Sequence, residues 1–79
     1  MEYSYYILVY GGIKTLYRIN KNGRIAENVM NLEVFRHRQW PGDERAIGHF
    51  MNLYVTGWLD ESDAMDYETA MKKMNNEQD

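Results

Sequence analysis

The segment Arg36-His37-Arg38-Gln39-Trp40 sets two guanidiniums beside a large aromatic ring. Single-stranded nucleic acid is held by this pairing, with cations on phosphate and a ring under a base. On a strand, Arg36 and Arg38 point one way and His37 the other, and Lys14, Arg18, Lys21 and Arg24 extend the basic face across a neighbouring hairpin. The plainer reading is that these cations keep a sheet surface and its edges soluble while Trp40, beside Pro41, anchors the junction from sheet to helix.

A second concentration of reactive types is acidic: Asp60, Glu61, Asp63, Asp66 and Glu68. It reads as a cation site, as a mimic of nucleic-acid phosphates, or as helix capping. A calcium loop of the EF-hand kind needs glycine at its sixth position, and counted from Asp60 that position is Met65, so the motif fails. Phosphate mimicry calls for a denser field than a net charge of −3 supplies. Capping is the simplest account, because acids in first turns and Lys72-Lys73 near the end complement the helix dipole, with Glu68 and Lys72 as an i, i+4 pair. His37 and His49 have no cysteine and no carboxylate companion at metal-ligand spacing. With no nucleophile–base pair in sight either, we expect no enzyme, no cofactor and no metal.

Seven tyrosines form the third group, and Tyr3, Tyr5, Tyr6, Tyr10 and Tyr17 crowd the first twenty residues. Alternation along a strand cannot hide Tyr5 and Tyr6 on one side, so an exposed tyrosine edge is expected, and tyrosine is enriched at protein interfaces. Half-buried rings of ordinary strand propensity are the bland alternative. The same strand is also placed to pair edge to edge with a second copy. Met51, Met65, Met71 and Met74 read as gap-fillers of a small core.

The elements that position these groups follow from periodicity. Tyr3 to Tyr10 is aromatic and β-branched, ends at Gly11-Gly12, and is answered by alternation from Ile13 to Ile19, a tight hairpin. Asn22-Gly23 signals a second hairpin with a third strand from Arg24, and residues 32–38 are expected to give a fourth strand. After Pro41-Gly42, Asp43 or Gly42 caps a helix with Ile47, Phe50, Met51, Tyr54 and Trp58 on one face and Arg45, His49, Asn52 and Thr56 on the other, Gly57 marking its end. Asp60 or Ser62 caps another with Ala64, Tyr67, Met71 and Met74 along one side. The expected fold is α+β: an antiparallel meander of three to four strands followed by two helices packed on one face of the sheet.

Charge divides along the same line. Residues 1–42 hold six Lys/Arg and three Asp/Glu, residues 43–79 three and nine. With 79 residues and no cysteine, one domain over residues 1–74 with a frayed tail at 75–79 is expected, in a reducing cytoplasm, without a membrane span. In size and charge the chain resembles the small acidic inhibitors with which phages and mobile elements block host proteins, which implies a protein partner. The expected activity is therefore protein binding through Tyr3, Tyr5, Tyr6, Asp60, Glu61, Asp63 and Asp66. Nucleic-acid binding through Lys14, Arg18, Lys21, Arg24, Arg36, Arg38 and Trp40 is the alternative, and a structural homo-oligomer is a third.

Overall fold

The structure, a computed structural model, describes residues 2–20 and 25–75. Strands β1 (Tyr3–Tyr10) and β2 (Ile13–Asn20) form an antiparallel hairpin in which Tyr6 faces Tyr17 and Tyr5 faces Arg18. Gly11 and Gly12 turn the chain with φ of 59° and 81°, values that a side chain resists and glycine does not. Strand β3 (Glu33–Val34) pairs antiparallel with β2, giving the order β1-β2-β3.

The sequence expectation of a strand from Arg24 is corrected by helix α1 (Ile25–Asn28) and a 3₁₀ turn at Val29–Asn31. The reason is spacing. Ile25, Val29 and Leu32 lie at i, i+4 and i+7 and are only 2%, 5% and 1% exposed, so their apolar period fits a helical rather than a strand backbone. The expected fourth strand shrinks to β3, the third strand of the sheet. The expected turn at Asn22-Gly23 lies outside the described residues, as does the expected tail at 75–79 except for Asn75, which is the last residue of the final helix.

Helix α2 (Glu44–Val55) starts at Asp43, whose Oδ1 accepts the N–H groups of Arg45 and Ala46 at 2.9 and 3.3 Å, two of the donors a helix start leaves unpaired. It ends in a Schellman motif: Gly57, at φ 87°, donates to the Tyr54 carbonyl, and Trp58 donates to that of Leu53 at 2.9 Å. A second 3₁₀ turn follows at Glu61–Asp63. Then comes α3 (Tyr67–Asn75), where Asp66 Oδ1 accepts the Thr69 N–H at 2.7 Å. Asp60 thus caps the 3₁₀ turn, and Asp66 takes the role at α3 expected of Asp60 or Ser62.

Two clusters of apolar side chains hold these elements. Tyr6, Tyr17, Ile19 and Val34 pack with Phe50 and Ala46 of α2 and with Ile25, Val29, Leu32 and Leu59. Tyr5 and Leu16 pack with Ala70, Met71 and Met74 of α3 and with Phe35, Trp40 and Met65. Neighbours on a strand point to opposite faces, so α2 and α3 flank the sheet from opposite sides. This corrects the expected placement of both helices on one face. Phe50, edge-on to Tyr6 and Tyr17 at centroid distances of 5.2 and 5.8 Å, is completely buried. Burying such a ring contributes about 1.5–3 kcal/mol.

Gly48 lies on the exposed side of α2, and a Cβ built there meets nothing within 4 Å. Gly48→Ala is therefore expected to raise the unfolding free energy by about 1 kcal/mol, read as a higher urea midpoint at unchanged slope.

Candidate functional site

Tyr5 and Tyr6, expected to leave a tyrosine edge at the surface, are core. They are 8% and 2% exposed, one in each cluster, because both faces of the hairpin are covered. Burial first, then the nearby charges of Glu61, Asp63 and Asp60, push the Tyr6 hydroxyl up to about 12. Tyr3 is half-buried with the guanidinium of Arg18 lying 4.1 Å from its ring centroid.

Lys14, Arg18 and Arg36 are each engaged by a different partner. Arg18 sits between the rings of Tyr3 and Trp40, 4.2 Å from the second, and its Nε donates to Glu33 Oε1 at 2.6 Å across the β2–β3 pair. Trp40 in turn packs tilted against Phe35 and edge-on to Tyr5, with centroids 4.9 and 5.8 Å away. Its ring is thereby occupied on several sides. Lys14 Nζ donates to the carbonyl of Lys73 at 2.7 Å, near the end of α3. Arg36 pairs with Asp43 at 2.7 Å, at the start of α2. Lys21 and Arg24 lie outside the described residues.

The strand expected through Arg36 and Arg38 is instead a reverse turn. Arg36 and Gln39 exchange backbone hydrogen bonds of 2.9 and 2.8 Å, and His37 and Arg38 between them have φ of 51° and 63°. Successive positive φ values define the type I′ geometry usually given to Asn-Gly, so two side chains here hold a conformation that favours glycine. Arg36 and Arg38 accordingly do not share one strand face.

The acidic residues organise their own loop. Asp60 caps the 3₁₀ turn through the Ser62 N–H at 2.8 Å and the Ser62 hydroxyl, and Asp63 Oδ2 accepts the Asp60 N–H at 3.0 Å, closing a capping box. Glu61 Oε2 accepts the Ile25 N–H at 3.0 Å and the Tyr54 hydroxyl at 3.1 Å, tying the loop to α1 and α2. Among the described residues no group of three His, Asp or Glu side chains is placed to hold a metal ion, and no helix is long and apolar enough to cross a membrane.

What the sequence reading missed is a set of exposed apolar side chains, two of which meet at one groove. Trp58, assigned to the buried stripe of α2, is 81% exposed, and Val9, Ile13 and Val55 are 65%, 69% and 74% exposed. The signal was Gly57. A helix that stops at Val55 in a Schellman turn puts Trp58 beyond the last turn, off the face that carries Phe50 and Tyr54. Trp58 and Val9 border an open groove of about 750 Å³, which also reaches Leu8, Ala64, Thr69 and Lys73. No known protein family, curated protein or solved structure matches the chain.

Two outcomes test this description. Arg18→Ala strips a cation from two rings and leaves Glu33 unpaired, so it is expected to lower the unfolding free energy by about 1–3 kcal/mol, and Arg18→Lys to restore only part, because an ammonium cannot stack flat between two rings. Denaturant midpoints of the three proteins measure both. The hydrogen bond from Arg36, then those from the α2 backbone, hold the Asp43 carboxyl below its ordinary 3.8. A carboxyl depressed in the folded state contributes stability above its unfolded pKa and loses it as pH falls through the folded value. Asp43→Asn is therefore expected to be less stable than the wild type at neutral pH, with the gap in urea midpoint closing as the pH drops below about 4.

Proposed function

We propose that this protein is a non-enzymatic binding module whose partner is another protein, held through the apolar surface at Trp58 and Val9. The observation that carries the reading is the exposure of Trp58. In a Schellman motif the residue after the glycine commonly packs back on the helix it leaves, yet here a tryptophan stands 81% exposed beside an open groove. Tryptophan is the side chain most enriched among residues that dominate protein interfaces, since it offers a large rigid area with few rotors. Tyr5 and Tyr6 drop out of the contact set by burial. Asp60, Glu61, Asp63 and Asp66 stay at the surface as an acidic rim that discriminates among partners rather than anchoring them.

The nucleic-acid reading has less support, because Arg18 and Arg36 are bonded to Glu33 and Asp43 and the Trp40 ring packs against Phe35 and Tyr5. Affinity capture from the producing cells with wild type, Trp58→Ala and Arg38→Ala tests the choice. A discrete protein partner is expected whose affinity falls roughly 30-fold, about 2 kcal/mol, with Trp58→Ala and holds with Arg38→Ala. Oligonucleotide binding that weakens steeply between about 50 and 200 mM salt and is lost with Arg38→Ala would overturn the reading.

A further inference from the structure

Strand β1 is an edge strand, and its outer side is only partly closed. Tyr5 exchanges two backbone hydrogen bonds of 2.9 Å with Met65, so the main-chain groups of Tyr5 point away from β2. In an antiparallel ladder this direction recurs at every second residue. The N–H and C=O of Ile7 and Val9 therefore also point outward, and no described residue bonds to them, because the chain leaves the edge at Ala64 for the 3₁₀ turn.

Those open groups form the floor of the groove. One wall is Trp58 and Leu59, on the α2 side of the sheet; the other is Met65, Thr69 and Lys73, on the α3 side. Natural edge strands are usually blunted by a charge, a proline or a bulge, and Tyr5-Tyr6-Ile7-Leu8-Val9-Tyr10 has none of these in its sequence or its register. An unprotected edge with two overhanging walls fits one added strand.

We infer that the groove binds an extended segment of another protein by β-strand addition along Ile7–Val9, a proposal that rests on the protein-binding reading above. Main-chain bonds to Ile7 and Val9 fix the added strand, and its side chains alternate between the two walls. On the α2 wall they meet Leu8 and Trp58, which select apolar residues. On the α3 wall they meet the cations Lys14 and Lys73, which select acidic ones; Asp63, whose carboxylate caps the 3₁₀ turn, lies where that wall meets the loop. The ligand is thus an extended peptide in which apolar and acidic residues alternate. A second copy is a poorer occupant, because its own edge carries the apolar sequence Tyr5 to Tyr10 with no acid to face Lys14 and Lys73.

A displayed library of random octapeptides, selected on the full chain, tests this. Enriched peptides are expected to alternate apolar and acidic residues, to protect the Ile7 and Val9 amides from hydrogen exchange, and to bind at least about tenfold more weakly to Val9→Pro, which removes one outward donor without touching the β1–β2 ladder. Charge reversal by Lys14→Glu with Lys73→Glu is expected to exchange the acidic preference for a basic one. Should Val9→Pro fail to fold, amide exchange in the wild type decides alone. Absence of enrichment, helical spacing in the winners, or unchanged exchange at Ile7 and Val9 would overturn the proposal. So would a dimer in sedimentation that Val9→Pro abolishes, with a second copy then the occupant. If strand addition fails while capture of a partner still depends on Trp58, the binding reading survives without it; if capture is indifferent to Trp58, that reading falls too.

Discussion

Adjacent residues of a strand face opposite ways, so Tyr5 and Tyr6 are both buried only because both faces of the β1–β2 hairpin are covered. The rest of the chain meets this requirement. After β2, α1 and the 3₁₀ turn at Val29–Asn31 supply Ile25 and Val29 to one face, and α2 adds Phe50; the chain then returns through Met65 to lay α3 and Ala70 against the other. The bridge between Tyr5 and Met65 is where the crossing is made, since the path from the α2 face to the α3 face passes the outer edge of β1 there. Two thin apolar layers result, each with few fully buried side chains. A chain of this length buries only about 60% of its unfolded surface, so neither layer would be sufficient alone.

A few charged side chains tie together segments that apolar packing leaves loose. Arg18 joins β2 to β3 through Glu33 and fills the space between Tyr3 and Trp40 with its flat guanidinium. Arg36 reaches Asp43 and links the turn at His37-Arg38 to the start of α2. Glu61 does the same for the acidic loop, receiving the Ile25 N–H and the Tyr54 hydroxyl. Arg36 and Asp43 pair across the division, and this lowers the field that the two halves present where they meet.

Two of the apolar residues left outside, Trp58 and Val9, share a place rather than a pattern. Trp58 is put there by the end of α2, and Val9 by the end of the hairpin; the two come together because the loop from Trp58 to Ala64 runs alongside β1. This is also where the backbone of β1 has outward-facing groups without a neighbouring strand. Side-chain surface and main-chain donors thus converge at one edge, the combination from which recognition of extended segments is built.

Local chemistry determined much of this fold without reference to tertiary contacts. Gly11-Gly12 between two β-rich runs sufficed for the first hairpin, and Asp43 ahead of an amphipathic run sufficed for α2, because turns and caps depend on a few neighbouring atoms. The i, i+4, i+7 spacing of Ile25, Val29 and Leu32 was present too, though the Asn22-Gly23 signal beside it pointed to a strand. Tertiary structure alone decided the rest. Whether Tyr5 and Tyr6 are surface or core depends on how many faces of the sheet are covered, and whether Arg18 is a ligand-binding cation or a stacked structural one depends on Glu33, Tyr3 and Trp40 arriving from other segments. Periodicity reports which side of an element a residue occupies, but not what meets that side, because the partner surface comes from residues distant in sequence.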